Sequence, residues 1–336
     1  MKILQLGLAL LIAGIQSAIA AQPASSDGRE TSTQGPRTDH AVGFYDVRLR
    51  RVVLVGDAGD PKDGNRDKVW SWSGARWELL TAAGPPGRVN AAAAYDAGRG
   101  RGIVAGGSRK TTDGATRRVV EDSWEGDRSG WRRIGDIAAR DHQSLVDDGT
   151  GRVLMFGGIS AERSGPWPTD TWELRNGAWT RIATEGPPGR GRAALVYDSK
   201  RRQFVLFGGA SAPPGPNQPQ TFFNDTWILD GERWRKVAEG GPPGRYAHVM
   251  VFDERAGVVL LYSGAAAHRN APLSDMWRWD GERWTEIQLT GATPGHRYQP
   301  VMVYDRARDR TVLYGGIGGP ADTWEWDGQR WREIRP

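Results

Sequence analysis

The side chains in this chain best suited to chemistry are arginines that follow Pro/Gly turns, and two of them are doubled by a tyrosine, as Arg245-Tyr246 and Arg297-Tyr298. A guanidinium beside a phenol ring offers a planar fork of donors for carboxylate, sulfate or phosphate, together with a flat face for stacking. His248 stands three residues after Arg245, and Arg192 two after Arg190. Arg192, Arg245, Tyr246, His248, Arg297 and Tyr298 are therefore the candidate ligand-binding residues. Their chemistry suits a protein segment or a carbohydrate that carries anionic groups.

Other chemistries find less to work with. Gly-x-Ser-x-Gly, a phosphate loop and a dinucleotide fingerprint are all missing, and the Gly-Gly pairs end strands without opening a helix that could cradle phosphate. His40, His142, His248 and His296 fall at similar places, but without the tight spacing of a metal site, and no metal or cofactor is expected. Lys and Arg exceed Asp and Glu by only five, with opposite charges interspersed, which gives nucleic-acid binding little support. The basic runs Arg48/Arg50/Arg51, Lys200/Arg201/Arg202 and Arg306/Arg308/Arg310 read as solvated hairpin tips.

What must position the candidates is a repeat. Pro242-Pro243-Gly244-Arg245 opens a unit in which a strand ending Phe252-Asp253, a turn, and the apolar strand Val258–Tyr262 follow in order. Ser263-Gly264, a variable loop, a third strand around Trp277, the hairpin turn Asp280-Gly281 and a fourth strand around Trp284 complete it. Six copies align. The opening arginine recurs as Arg37, Arg88, Arg140, Arg190, Arg245 and Arg297, and two tryptophans seven residues apart close each copy, from Trp70/Trp77 to Trp324/Trp331. An aromatic-Asp pair ends the first strand of most copies, and the third reads Asp147-Asp148 instead. Four short strands cannot bury both faces of one small sheet, so the copies must stack on one another.

Arginine, then aromatic-Asp, then Gly-Gly, then a spaced aromatic pair resembles the kelch repeat, and the resemblance covers Gly35 to Pro336. It implies an all-β chain forming a six-bladed kelch-type β-propeller, four antiparallel strands per blade, the first innermost. The alanine-rich first strands suit a tapering axis. The blades fall at approximately 35–82, 83–136, 137–184, 185–239, 240–290 and 291–336. In kelch relatives that act as ubiquitin-ligase adaptors, arginines near the start of innermost strands hold acidic peptides, and Arg192 matches that neighbourhood.

A residue present in every copy serves a need every copy has, so the opening arginines also read as ties between loops and blades, and the twelve grid tryptophans, out of sixteen, read as packing between blades. Asp122, Asp170, Asp225, Asp275 and Asp322, each two residues before a tryptophan, read as hydrogen bonders. Off-grid Arg192, Tyr246, Tyr298, Trp167 and Phe222-Phe223 are better candidates for function, the loop aromatics either stacking on a ligand or packing the loops down. Two kelch-related enzyme types bear on activity. A copper radical oxidase needs a tyrosine crosslinked to cysteine, and the chain has no cysteine. A periplasmic mutarotase or epimerase of an acidic sugar would use a carboxylate with an arginine, such as Glu162 or Glu121 with Arg192 or Arg297, an analogy of fold alone.

Met1-Lys2, an apolar run and Ala18-Ile19-Ala20 read as a signal peptide spanning 1–20, followed by a disordered lead-in at 21–34. The expected product is a monomeric, periplasmic or secreted binding propeller without a membrane span once the signal is cleaved, with the acidic-sugar mutarotase or epimerase as the alternative.

Overall fold

The computed structural model describes residues 31–32, 40–56, 67–110, 117–162, 165–183, 185–213, 220–266, 272–317 and 319–335. The signal peptide, most of the lead-in, Arg37 and His268 lie outside the described residues. Thr31–Ser32, the described part of the lead-in, pairs with the outer strand Trp77–Thr81. No helix among the described residues is long and apolar enough to cross a membrane.

Every copy of the repeat folds as one antiparallel sheet whose strands pair in chain order, and six such sheets form a six-bladed β-propeller. The innermost strands are Val42–Asp46, Ala92–Asp96, Ser144–Asp147, Ala194–Asp198, Val249–Asp253 and Val301–Asp305. Second strands such as Arg152–Phe156, Gln203–Phe207 and Val258–Tyr262 are buried at every position after the first, because each sheet has a neighbour on both faces. The core is accordingly a set of inter-blade clusters. Val205, Phe207 and Ile228 of one blade meet Met250, Phe252 and Trp279 of the next, and Val52, Leu54, Trp72 and Trp77 of the first blade meet Val312 and Tyr314 of the last.

In four of the six blades the second tryptophan fastens blade to blade. Trp179 donates its indole N–H to Ser123 Oγ (2.9 Å), Trp234 to Thr171 Oγ1 (2.8 Å) and Trp284 to Thr226 Oγ1 (2.9 Å), each acceptor lying in the preceding blade. Trp77 of the first blade donates to Thr323 of the last (3.0 Å), and Trp72 to Glu325 (2.9 Å), so the ring closes with the bond used elsewhere around it. The acceptor is always the residue before the first tryptophan. Where that residue is Val69 or Met276, the indole N–H of the next blade, on Trp131 or Trp331, is buried without a partner.

The basic hairpin tips are not simply solvated. Arg201 and Arg255 reach the carbonyls of Asp280 and Asp327 in the outer turn of the next blade, and Arg308 pairs with Glu325 (2.6 Å) beside Gly74 of the first. A Cβ on Gly281 would stand 2.1 Å from the Arg201 side chain, and the turn already requires a φ of +104° there, so glycine is needed twice over.

Candidate functional site

Five opening arginines fall within the described residues, and each does the same work. Arg88, Arg140, Arg190, Arg245 and Arg297 are at most 5% exposed and form two-pronged ion pairs with Asp122, Asp170, Asp225, Asp275 and Asp322. In Arg245–Asp275 both N···O distances are 2.7 Å. Each guanidinium also donates to a carbonyl in its own Pro/Gly turn and to the carbonyl of the first residue of the Gly-Gly position, as Arg190 does to Pro188 (3.0 Å) and Gly208 (3.0 Å). The aspartate in turn accepts the indole N–H of the first tryptophan, at 2.6 Å from Trp227 to Asp225. Burial alone would raise the carboxyls of Asp122, Asp170, Asp225 and Asp275, but the arginine and tryptophan donors outweigh it and hold them below the usual range.

Two of the six candidates are therefore committed inside the blade. Arg245 and Arg297 are 0% and 1% exposed, and a turn carbonyl, the carbonyl of Ser263 or Gly315 and an aspartate engage their guanidinium groups, so neither offers a fork to a ligand. His248 is also enclosed. Its ring meets Phe207 edge-on at 5.6 Å between centroids, and burial, then the nearby Arg245, pushes its pKa down to about 3 against the backbone of Phe207. It is a neutral, packed imidazole. Among the described residues no cluster of three or more His, Asp or Glu could hold a metal ion.

The other three candidates come together. Two residues after each opening arginine the chain takes a left-handed turn, at Asn90, His142, Arg192, Ala247 and Gln299, with φ between 48° and 57°. These residues form a belt. The amide of His142 donates to Asn90 O, Arg192 to His142 O, Ala247 to Arg192 O and Gln299 to Ala247 O, at 2.8–3.0 Å, across successive blades. A β-carbon in this conformation is strained by about 1 kcal/mol or more, which the belt must offset. Arg192 is bonded through both its amide and its carbonyl, and its side chain crosses to the next blade, where the guanidinium carbon lies 5.7 Å from the Tyr246 ring centre. Tyr246 stacks on Tyr298 (6.4 Å between centroids, planes 30° apart), Phe222 packs on Tyr246 at 5.3 Å, and His296 meets Tyr298 edge-on at 4.4 Å. Arg192, Tyr246 and Tyr298 are each half-buried, giving a shelf of one cation and two phenol rings over three blades.

A small core props the shelf from beneath. Ile159, Trp167 and Ala210 are buried together, with Ala212, Phe222 and Tyr246 against them. Trp167 and Phe222 thus pack the loops down, and Phe223 covers Arg190, whose guanidinium carbon lies 3.8 Å from the ring centre. The shelf stands beside the channel mouth, a cavity of about 200 Å³ bounded by His40, Asn90, Gln143, His248 and Gln299.

One arrangement escaped sequence reasoning. Asp141, fully buried, accepts from Ser108 Oγ at 2.7 Å and lies 2.9 Å from Nδ1 of His142, fixing that imidazole next to Arg192 in the belt. Sequence adjacency of Asp141 and His142 was a possible signal, but only the fold brings Ser108 to them.

No family model matches the chain. A solved structure described as "Structure of YjhT" superimposes with a TM-score of 0.67 at 15% sequence identity, over 89% of this chain and 98% of that one. The likeness is one of fold. It extends around the whole ring and leaves the function to the residues described above.

Proposed function

We propose that this chain is an exported kelch-type binding propeller whose loop face holds a protein segment or glycan with anionic groups. The observation that carries the reading is the shelf of Arg192, Tyr246 and Tyr298, where an arginine outside the repeated ion pairs lies over the Tyr246 ring, itself stacked on Tyr298. Arg192 supplies the charge, and Tyr246 and Tyr298 supply flat, partly apolar surface with hydroxyls at the edge. A mouth of about 200 Å³ is smaller than the pockets that engulf small-molecule substrates, which favours a ligand lying across the face.

A second reading, an acidic-sugar mutarotase or epimerase, draws on the Asp141–His142 pair, since an imidazole oriented by a carboxylate beside an arginine is the equipment for proton transfer next to a bound anion. Pairings that used Arg297 lose their cation to Asp322. A thermal-shift panel of acidic sugars, neutral sugars and acidic peptides tests both readings. A ligand at about a hundred times its Kd stabilises by about 2.7 kcal/mol. Binding predicts a shift from an acidic ligand that Arg192→Ala removes, and anomer exchange followed by NMR, lost in His142→Ala, would move the reading to the enzyme. A panel without any shift counts against the small-ligand forms of both and leaves a protein segment as the ligand to test.

A further inference from the structure

The channel is two cavities rather than one. Gly43, Ala93, Leu145, Leu195, Met250 and Met302, the second residue of each innermost strand, line both and form a waist between them. The cavity on the hairpin-tip side holds about 430 Å³, twice the volume at the mouth, and opens away from the shelf. At its level the fourth residue of each innermost strand is Tyr45, Tyr95, Tyr197, Phe252 or Tyr304 in five blades. In the third blade that place is taken by Asp147.

Asp147 is not the hairpin-capping aspartate of its copy. Asp148 performs that role, accepting the amide of Thr150 at 2.8 Å as Asp198 accepts that of Arg201 and Asp253 that of Ala256. Asp147 instead points a carboxylate at surroundings built for a phenol. Its Oδ1 is sealed from water and accepts no hydrogen bond, and no lysine or arginine pairs with it among the described residues. Several other shielded acids of this protein have a cation: Asp122, Asp170, Asp225 and Asp275 each face their arginine, Glu125 faces Arg99, and Glu325 faces Arg308, whereas Asp46 and Asp253 accept backbone amides. The groups facing Asp147 are mostly acidic. Asp148 lies on its own hairpin and Asp96 on the preceding blade, where Arg99 is shared between Asp96 (3.6 Å) and Glu125 (2.5 Å), while Tyr197 of the following blade faces Asp148. The amides of Gly149 and Ala97 offer the only nearby help to the ionised form. Elsewhere on the wall, Arg306 pairs with Glu254 (2.7 Å) and holds its guanidinium carbon 5.9 Å from the ring centre of Tyr45, so cation-on-ring packing is already in use there.

A carboxylate without a counter-ion in an aromatic-walled cavity calls for a cation from outside the chain. We propose that the hairpin-side cavity binds a small organic ammonium ion, with Asp147 as its counter-charge and the rings of Tyr45, Tyr197 and Tyr304 as its walls. The cationic head of the ligand lies beside the Asp147 carboxylate, and its carbon groups lie against the rings and the waist. A bare metal ion fits worse, since ring carbons supply no ligands and no cluster of three ligating side chains is present among the described residues. The site stands apart from the shelf and takes a ligand of opposite charge.

Ligand-observed NMR titration of butylammonium and of choline, each against its uncharged isostere (1-butanol and 3,3-dimethyl-1-butanol), tests the proposal on the full chain. Saturable binding of an ammonium probe is expected at about pH 8, weaker by roughly tenfold at about pH 5.5, where Asp147 is protonated. The alcohols should not compete. Asp147→Asn and Asp147→Tyr should abolish binding, the tyrosine variant restoring the residue of the other blades so that a folded control exists, and Arg192→Ala should leave it unchanged. Absence of saturable binding by either probe, equal binding of the alcohols, or undiminished binding by a folded Asp147 variant overturns the proposal. The first of these results is what an Asp147 that is simply protonated and unliganded would give.

Discussion

Two buried titratable residues pull the stability of this protein in opposite directions with pH. Burial, followed by the charges of Asp148 and Asp96, raises Asp147 to about pKa 7, so its contribution is fully present below the ordinary carboxylate range and is lost as pH rises through about 7. Burial and Arg245 lower His248 to about 3, so its contribution is present above the ordinary imidazole value and is lost as pH falls toward 3. Between about pH 4 and 6.5 the two slopes offset each other. Asp147→Asn should therefore raise the thermal midpoint at pH 8 by a few degrees and change it little at pH 4, whereas His248→Gln should flatten the acid limb. Midpoints measured from pH 4 to 8 for both variants check this, and parallel curves for wild type and variants would refute it. Both residues were visible in the sequence, His248 as a candidate ligand and Asp147 as a break in the aromatic-Asp pattern. What the chain could not disclose is which neighbours enclose them, because those neighbours come from other blades.

At the scale of the element, the repeat was legible because each copy carries its own turn residues, its own Gly-Gly and its own tryptophans. The strands form where those signals place them. The roles of the repeated residues were less legible. Ser263 occupies a Gly-Gly position, yet its hydroxyl donates to Arg297 O (2.8 Å) and accepts the Arg297 amide (2.8 Å), so the irregular copy gains bonds that glycine lacks. Its φ of 64° is the cost. The hydroxyl that receives the tryptophan of the next blade is likewise a short-range feature with a long-range partner. Val69 lies at the same bulge as Ser123, Thr171 and Thr226, and belongs to the cluster that includes Trp131, whose N–H has no partner. Val69→Thr should thus be neutral or stabilising by up to about 1 kcal/mol, while Val104→Thr, buried with no donor to meet, should cost about 1–3 kcal/mol. Urea unfolding of the two variants decides, and equal losses would contradict the assignment.

For the whole molecule, the ring separates what is structural from what is offered to a partner. Inter-blade tryptophan bonds, buried Arg–Asp pairs and the backbone belt recur around the axis, and because they recur they consume the very residues that look most functional in sequence. Arg245 and Arg297, beside Tyr246 and Tyr298, read in sequence as ligand residues. The tyrosines do stand at the surface, but the arginines beside them turn inward to Asp275 and Asp322. Arg192 differs because it is two residues past the ion-paired position, in the belt, where the backbone is fixed and the side chain reaches the ring of Tyr246. The most direct test is a titration of an acidic peptide or acidic sugar that shifts the wild-type midpoint against Arg192→Ala and Arg245→Ala, with stability measured in parallel. Arg192→Ala should lose binding while changing stability by less than about 1 kcal/mol, and Arg245→Ala, by stranding Asp275, should lose about 3–5 kcal/mol of stability yet retain binding where it remains folded. Binding that survives Arg192→Ala would contradict the shelf as the site.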